Sequence, residues 1–202
     1  MPVFETALPL LALWGLFGYL LGSIPFGMVL ARLMGLGNLR DIGSGNIGAT
    51  NVLRTGNKPA ALGTLILDGA KGAAAVLLAR AITGEDAAQL AGLMAFIGHC
   101  FPIWLRFKGG KGVATFLGIL LALAPIVGAA CCATWLATAL ITRMSSYAAL
   151  AAAATSTIWM VMLGHADIAA LGIALTLLVY IRHAENIRRI KAGTEPKIGK
   201  KG

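Results

Sequence analysis

Residues 113–141, VATFLGILLALAPIVGAACCATWLATALI, form an uncharged run of 29 residues with one proline, Pro125, near the middle. One membrane helix needs roughly 20 apolar residues, so this run is too long for one ordinary span. Proline lacks the amide hydrogen a helix needs and either breaks or kinks it. Two short helices turning near Ala124-Pro125 fit the run, and so does one tilted, kinked helix. The choice fixes the number of spans and the side on which every polar segment lies.

The rest of the chain points to the same solvent. Of its 202 residues, 58% are hydrophobic and only 12% charged, with a mean hydropathy of +0.81. Soluble domains carry about 25% charged residues, so composition alone places the chain in a membrane. Other apolar runs cover Ala7–Leu33, Pro59–Ile82, Ala87–Leu105, Tyr147–Leu163 and Ile168–Ile181. Spans and polar loops use up the whole length, which reads as a single membrane domain, 1–202. The N-terminus does not read as a cleaved signal peptide. Its first charge is Glu5, and the basic residue, Arg32, follows the apolar run instead of preceding it.

Charge then selects the count. With a hairpin at Pro125 there are seven spans, the N-terminus outside and the C-terminus cytosolic. Of the 17 Lys and Arg residues, all but Lys71, within a span, and Arg80, on the outer side, then face the cytosol. Glu5, Glu85, Asp86 and Asp167 lie outside. Six spans would put Arg182 and the basic tail outside, against the positive-inside rule. The expected fold is an all-α, polytopic helical bundle, and only the seven-span version gathers its polar motifs on one face.

Three of those motifs carry chemistry. The first runs Gly43-Ser44-Gly45-Asn46-Ile47-Gly48-Ala49-Thr50-Asn51-Val52-Leu53-Arg54. Its three glycines let backbone amides converge on an anion, its hydroxyls and amides add donors, and Arg54 offers a planar fork suited to phosphate. An ordinary polar turn explains the glycines but not so many donors beside an arginine. The second, Lys108-Gly109-Gly110-Lys111-Gly112, opens a helix at Val113. Glycine lets backbone approach a ligand, and a helix start presents free amides. The spacing is not that of a Walker A loop, and a bland anchor loop needs lysines but not three glycines. The third is Arg182-His183-Ala184-Glu185-Asn186-Ile187-Arg188-Arg189. If the last helix continues past Ile181, His183 and Asn186 share a face, and Arg182 and Glu185 form a similar pair. Its bland alternative is a stop-transfer charge cluster.

Four further features have weaker readings. Asp68 and Lys71 lie three apart within a span, where an unpaired charge costs several kcal/mol, so they are expected to pair and orient the first loop, direct substrate contact being the alternative. His99 is either a satisfied core histidine or a site residue. Cys100, Cys131 and Cys132 lack metal or redox spacing and read as packing residues. The basic tail after Lys191 is expected to rest on anionic lipid.

Together these motifs resemble the acyl-phosphate:glycerol-3-phosphate acyltransferases of bacterial membranes. GSGNIGATNVLRTG at 43–56, LDGAKG at 67–72, GHCFPIWLRFKGGKGVAT at 98–115 and RHAENIRRI at 182–190 carry the resemblance, with LGSIPFG at 21–27 also similar. They follow the family's order along essentially the whole chain. Ile47 departs from the proline many members carry.

The resemblance implies an enzyme of the bacterial inner membrane, its site facing the cytosol. It would move a fatty acyl group from acyl phosphate to the first hydroxyl of glycerol 3-phosphate, giving lysophosphatidic acid and inorganic phosphate, the first step of phospholipid synthesis. Ser44 and Arg54 would serve the reacting centre, with Gly43, Gly45, Asn46, Thr50 and Asn51 binding substrate beside them. Lys108, Gly109, Gly110, Lys111 and Gly112 would hold glycerol phosphate. His183 and Asn186 would complete the site, either His183 or a substrate phosphate acting as base. No cofactor, metal, nucleic acid or obligatory protein partner is expected, only the two substrates and membrane lipid. The residues alone leave two rivals open: a transporter or channel for a phosphorylated solute, and a non-catalytic lipid-binding subunit.

Overall fold

The computed structural model of the chain describes residues 5–199, and among them helices and loops occur but no strand. The first apolar run is interrupted. It forms α1 (Leu8–Gly22) and α2 (Phe26–Leu33), separated at Ser23-Ile24-Pro25. Pro25 supplies no amide hydrogen, and backbone carbonyls freed inside a membrane need other donors. Trp104 Nε1 donates to Ser23 O at 2.6 Å, and Lys71 Nζ donates to Ile24 O at 2.8 Å. The break is therefore built from residues of two other segments.

A short helix, α3 (Ala49–Leu53), precedes α4 (Lys58–Ile82), which begins where Asn57 Oδ1 accepts from Ala60 N at 2.9 Å. Next come α5 (Glu85–Cys100), α6 (Val113–Leu123) and α7 (Pro125–Thr142). A methyl placed on Gly128 would lie 2.5 Å from Leu121 Cα, seven positions earlier. In a straight helix those residues stand about 10 Å apart along the axis. The chain thus doubles back at Pro125, and the 29-residue run is a hairpin. Arg80 serves this turn: its guanidinium donates to Ala122 O and Leu123 O at 2.7 and 3.0 Å and grips the Glu85 carboxylate. The basic residue that broke the charge pattern caps the end of α6. Three helices complete the chain: α8 (Ser145–Met162), α9 (Ala169–Arg182) and α10 (Ala184–Lys191).

Small residues line the helix contacts. A methyl on Gly18 or Gly22 of α1 would meet Ala91 O or Ala95 O of α5 at 2.3 or 2.0 Å. One on Gly118 of α6 would meet Gly69 O of α4 at 2.1 Å. Backbones touch at these points, as in helix pairs held by close packing in lipid. Phe96, Phe116, Leu120 and Met160 fill the interior, while many other large side chains point outward: Leu140, Ile141 and Ile82 are 72%, 84% and 71% exposed. Small residues at the helix contacts beneath a surface rich in exposed leucine and isoleucine suit an apolar solvent.

By length and composition, Leu8–Leu33, Lys58–Ile82, Glu85–Leu105 and Pro125–Thr142 can each cross a membrane. Ala166–Arg182 with Ala184–Lys191 makes a fifth, bent by 63°. α9 passes Ile181 only as far as Arg182 before this bend, so the continuous helix that would set His183 and Asn186 on one face does not form. His183 Nδ1 lies 2.8 Å from Val179 O, competing with the backbone ladder where the helix turns.

Candidate active site

The first loop is organised around Asn51, which is buried. Its Oδ1 accepts from Ser44 N at 3.2 Å and Arg54 Nη1 at 3.1 Å, with Ser44 Oγ at 3.4 Å. Its Nδ2 donates to Leu39 O at 2.9 Å and Asn46 O at 2.7 Å. Both ends of the amide are committed inside the loop, so Asn51 shapes the loop and has no donor left for a ligand. Gly43 has φ +52°, and a methyl there would lie 2.6 Å from Arg54 Cδ and 2.8 Å from Nη1. Glycine at this position lets the guanidinium fold across the loop beside exposed Ser44. Gly45 N donates to Ile42 O, and Asn46 Oδ1 turns back to Ile47 N. Thr50 Oγ1 lies 3.1 Å from Ser145 Oγ at the start of α8.

The second loop corrects the expectation that its glycine amides grip a phosphate. Gly109 N donates to Cys100 O, and Gly110 N to His99 O, each at 3.0 Å. Neither amide is free. Their missing side chains have a packing cause: a methyl would lie 2.1 Å from His99 O at Gly109 and 2.1 Å from His99 Nε2 at Gly110. Gly112 has φ +80° and abuts the Phe96 ring. The amides of Lys111 and Gly112 make no hydrogen bond with the described residues and sit at the start of α6. The Lys108 side chain is exposed and likewise makes none. The donors of this loop are therefore its lysines and the helix start.

Two arginines hold the loops together. Arg40 donates to Gly45 O in the first loop at 3.1 Å and to Lys108 O in the second. Arg182 donates to Gly110 O and Gly109 O at 3.1 and 3.3 Å and lies over the Phe101 ring. The expected Arg182–Glu185 pair does not form; Glu185 lies 4.0 Å from Arg189 instead.

The last motif meets the second loop directly. Lys111 Nζ donates to Asn186 Oδ1. Asn186 Nδ2 donates to Glu195 Oε1 at 2.6 Å, which also accepts from Ser146 Oγ at 2.6 Å, while Arg189 Nε donates to Glu195 Oε2 at 2.7 Å. Burial first, then the Arg189 charge, lower the Lys111 ammonium to about 8, against the opposing pull of Glu195 and Glu185. Burial pushes the Glu195 carboxyl up, but the Ser146, Asn186 and Arg189 donors together hold it below its ordinary range. His183 is buried; desolvation takes its imidazole down to about 4 despite the Val179 contact. It is neutral at pH 7, and donation from Nδ1 to Val179 O leaves Nε2 with the lone pair.

Beneath the loops lies the intramembrane pair, Lys71 Nζ to Asp68 Oδ1 at 2.8 Å, both buried. His99 Nδ1 is 3.7 Å from the same Asp68 oxygen. The pair braces the α1–α2 break through Ile24 O and backs His99, against which Gly110 packs. It does not touch the first loop directly; α2 intervenes, with Gly27 close against Ile47 O. No group of His, Cys, Asp and Glu side chains suited to a metal occurs among the described residues.

The structure thus joins Ser44, Asn51 and Arg54 in one cluster and Lys111 and Asn186 in another, meeting at Ser145-Ser146. Sequence reasoning missed Arg40, Ser145, Ser146 and Glu195. Two weak signals existed: paired serines directly before an apolar run, and the one acidic residue in the basic tail after Lys191.

Known proteins share this architecture. A family profile described as glycerol-3-phosphate acyltransferase matches residues 12–193. A glycerol-3-phosphate acyltransferase of Cereibacter sphaeroides is 66% identical over 201 residues, covering 100% of this chain and 96% of the relative. That of Ruegeria pomeroyi is also 66% identical, covering 100% and 99%. Among solved structures, the integral membrane glycerol 3-phosphate acyltransferase PlsY in its glycerol 3-phosphate form is 38% identical. It superposes with a TM-score of 0.88, covering 94% of this chain and 96% of that one. Its lysophosphatidic acid form gives 0.85 at 35% identity, covering 94% and 95%. This all-helical chain belongs to the glycerol-3-phosphate acyltransferase family of integral membrane proteins.

Proposed function

We propose that the protein transfers a fatty acyl group from acyl phosphate to the first hydroxyl of glycerol 3-phosphate. The observation that carries this reading is the junction of two cationic clusters, around Arg54 and around Lys111, at Ser145-Ser146. Two anionic substrates held side by side need two such clusters. Acyl phosphate is an activated anhydride, so no covalent intermediate is required. Positioning and charge stabilisation supply the rate.

The hydroxyl oxygen bonds to the acyl carbonyl carbon, the bond from that carbon to the phosphate oxygen breaks, and phosphate leaves. Ser44 and Arg54 face the developing charge. Lys108 and Lys111, with Asn186, hold the glycerol phosphate. His183 is a weak proton acceptor at about 4. The hydroxyl proton therefore goes to a phosphate oxygen of the donor, with His183 Nε2 accepting a hydrogen bond that orients the attacking hydroxyl.

The chain works as one domain with seven crossings, N-terminus outside and site at the cytosolic face of the bacterial inner membrane. The Pro125 hairpin and the distribution of basic residues support this placement. Purified protein with labelled glycerol 3-phosphate tests the reaction. Labelled lysophosphatidic acid should form with acyl phosphate alone, without acyl-CoA, acyl carrier protein or metal. Turnover only with acyl-CoA overturns the donor. Uptake into sealed vesicles with no lipid product overturns the enzyme in favour of a transporter.

A further inference from the structure

We propose that Glu195 is a positioning residue for Lys111, and that the segment after α10 is part of the active site instead of a lipid anchor. The role for Lys111 rests on the function proposed above; the contact chain does not. Glu195 belongs to the basic tail, yet its side chain is only 6% exposed. Both its oxygens are engaged, by Ser146 of α8 and by Asn186 and Arg189 of α10. A second tether fixes the same segment, Ile198 N donating to Arg143 O at 2.7 Å. A carboxylate held this way is turned from the lipid surface, and anionic headgroups would repel it.

The consequence lies in the Asn186 side chain. An amide presents a donor at one end and an acceptor at the other. Glu195 takes the donor end, so the acceptor end must face Lys111. The lysine is then held by one hydrogen bond, with two N–H groups left for an anion. If residue 195 were an amide, the charged Arg189 would take its oxygen, and its NH2 would face Ser146, which can turn to accept, and the Asn186 NH2, which cannot. Asn186 would be driven to turn over and present its NH2 to the ammonium. Lys111 would lose its only acceptor among the described residues and leave its position.

Two measurements test this with Glu195→Gln, and with the milder Ser146→Ala should the first variant fail to fold. An amine-reactive reagent at pH 8, without substrate, reads the freedom of Lys111 by mass spectrometry, whatever the substrate is. Labelling of Lys111 in Glu195→Gln should rise about tenfold, the loss of one charge-assisted hydrogen bond. The KM for glycerol 3-phosphate should rise by about the same factor while kcat changes far less, because uniform binding is lost. Ser146→Ala should move both readouts the same way by a smaller factor. Unchanged labelling overturns the proposal, as does raised labelling with an unchanged KM. An unchanged KM with weakened binding to anionic vesicles restores the lipid anchor. If the wild-type protein turns over no glycerol 3-phosphate, the functional reading fails, and labelling alone decides the contact chain.

Discussion

Under the proposed function Lys111 must be charged to hold a phosphate, yet burial and Arg189 lower its ammonium to about 8. The charged fraction then falls about tenfold per unit above that pH, and the KM for glycerol 3-phosphate should climb with it. Stability should move oppositely. Between about 8 and 10.5 the unfolded chain binds more protons at this lysine than the folded one, so the Lys111 contribution rises with pH. Lys111→Arg should flatten both trends, as seen by KM and thermal midpoint across pH 7.5–10. Gly110 makes a second residue-level case. Alanine there would drive a methyl to 2.1 Å from His99 Nε2, and His99 is buried beside Asp68. The expected cost is about 1–3 kcal/mol of stability, the price of overpacking. The thermal midpoint in detergent should fall, and His99→Ala should recover part of it by opening the space. If the double variant is no more stable than Gly110→Ala alone, the clash is not the cause. That glycines crowd this loop was legible in the sequence; that they make room for His99 and Phe96, with two of their amides already taken, was not. Periodicity names the loop, but the atoms that fill it come from α5, a turn earlier in the chain.

Helix boundaries depend on local chemistry, and the sequence is most informative there. Pro125 starts α7 because its missing amide hydrogen is harmless at a first turn, and Asn57 starts α4 through its own side chain. The break at Ser23–Pro25 escaped notice inside an apolar run, because Trp104 and Lys71, which make it affordable, are remote in sequence. The bend at His183 escaped for a different reason: its partner, Val179 O, is only four residues away, but a histidine competing for a helical carbonyl leaves no mark on the apolar pattern. α6 connects this scale to function, since its first turn follows Lys111 and Gly112 and its flank lies on α4. Gly118→Leu would force four carbons into a site where even one meets Gly69 O at 2.1 Å. It should separate α6 from α4, cost about 1–3 kcal/mol or more of stability, and lower activity by tilting the helix that presents Lys111. A leucine variant with unaltered thermal midpoint and KM would show that this contact does not position the loop.

At the scale of the whole molecule, the arrangement of charge decides which way the protein sits. Four helices, or five with the bent pair, are long and apolar enough to cross by composition. α6 has 11 residues, about 16 Å of helix, and α8 has 18 residues rich in alanine. Seven crossings therefore require α6 to be a short span. That is tenable because the second loop at its start is polar and Arg80 ties its end to Glu85 at the opposite side. An even number of crossings would put Glu5 and Lys197 on one face and split the two cationic clusters from the positive-inside pattern. Single cysteines at Glu85 and Asp167 should react with a membrane-impermeant thiol reagent from outside intact cells. Cysteines at Lys58 and Lys197 should react only after the membrane is opened. Cys100 and Cys131 are buried, and Cys132, which is partly open, should first be replaced by alanine. Protection of Asp167 together with labelling of Lys197 from outside would mean that α6–α7 crosses once, as a single kinked span, against the doubling-back at Pro125. The six-crossing arrangement would follow, with the Lys111–Asn186 contact as the observation then left to explain.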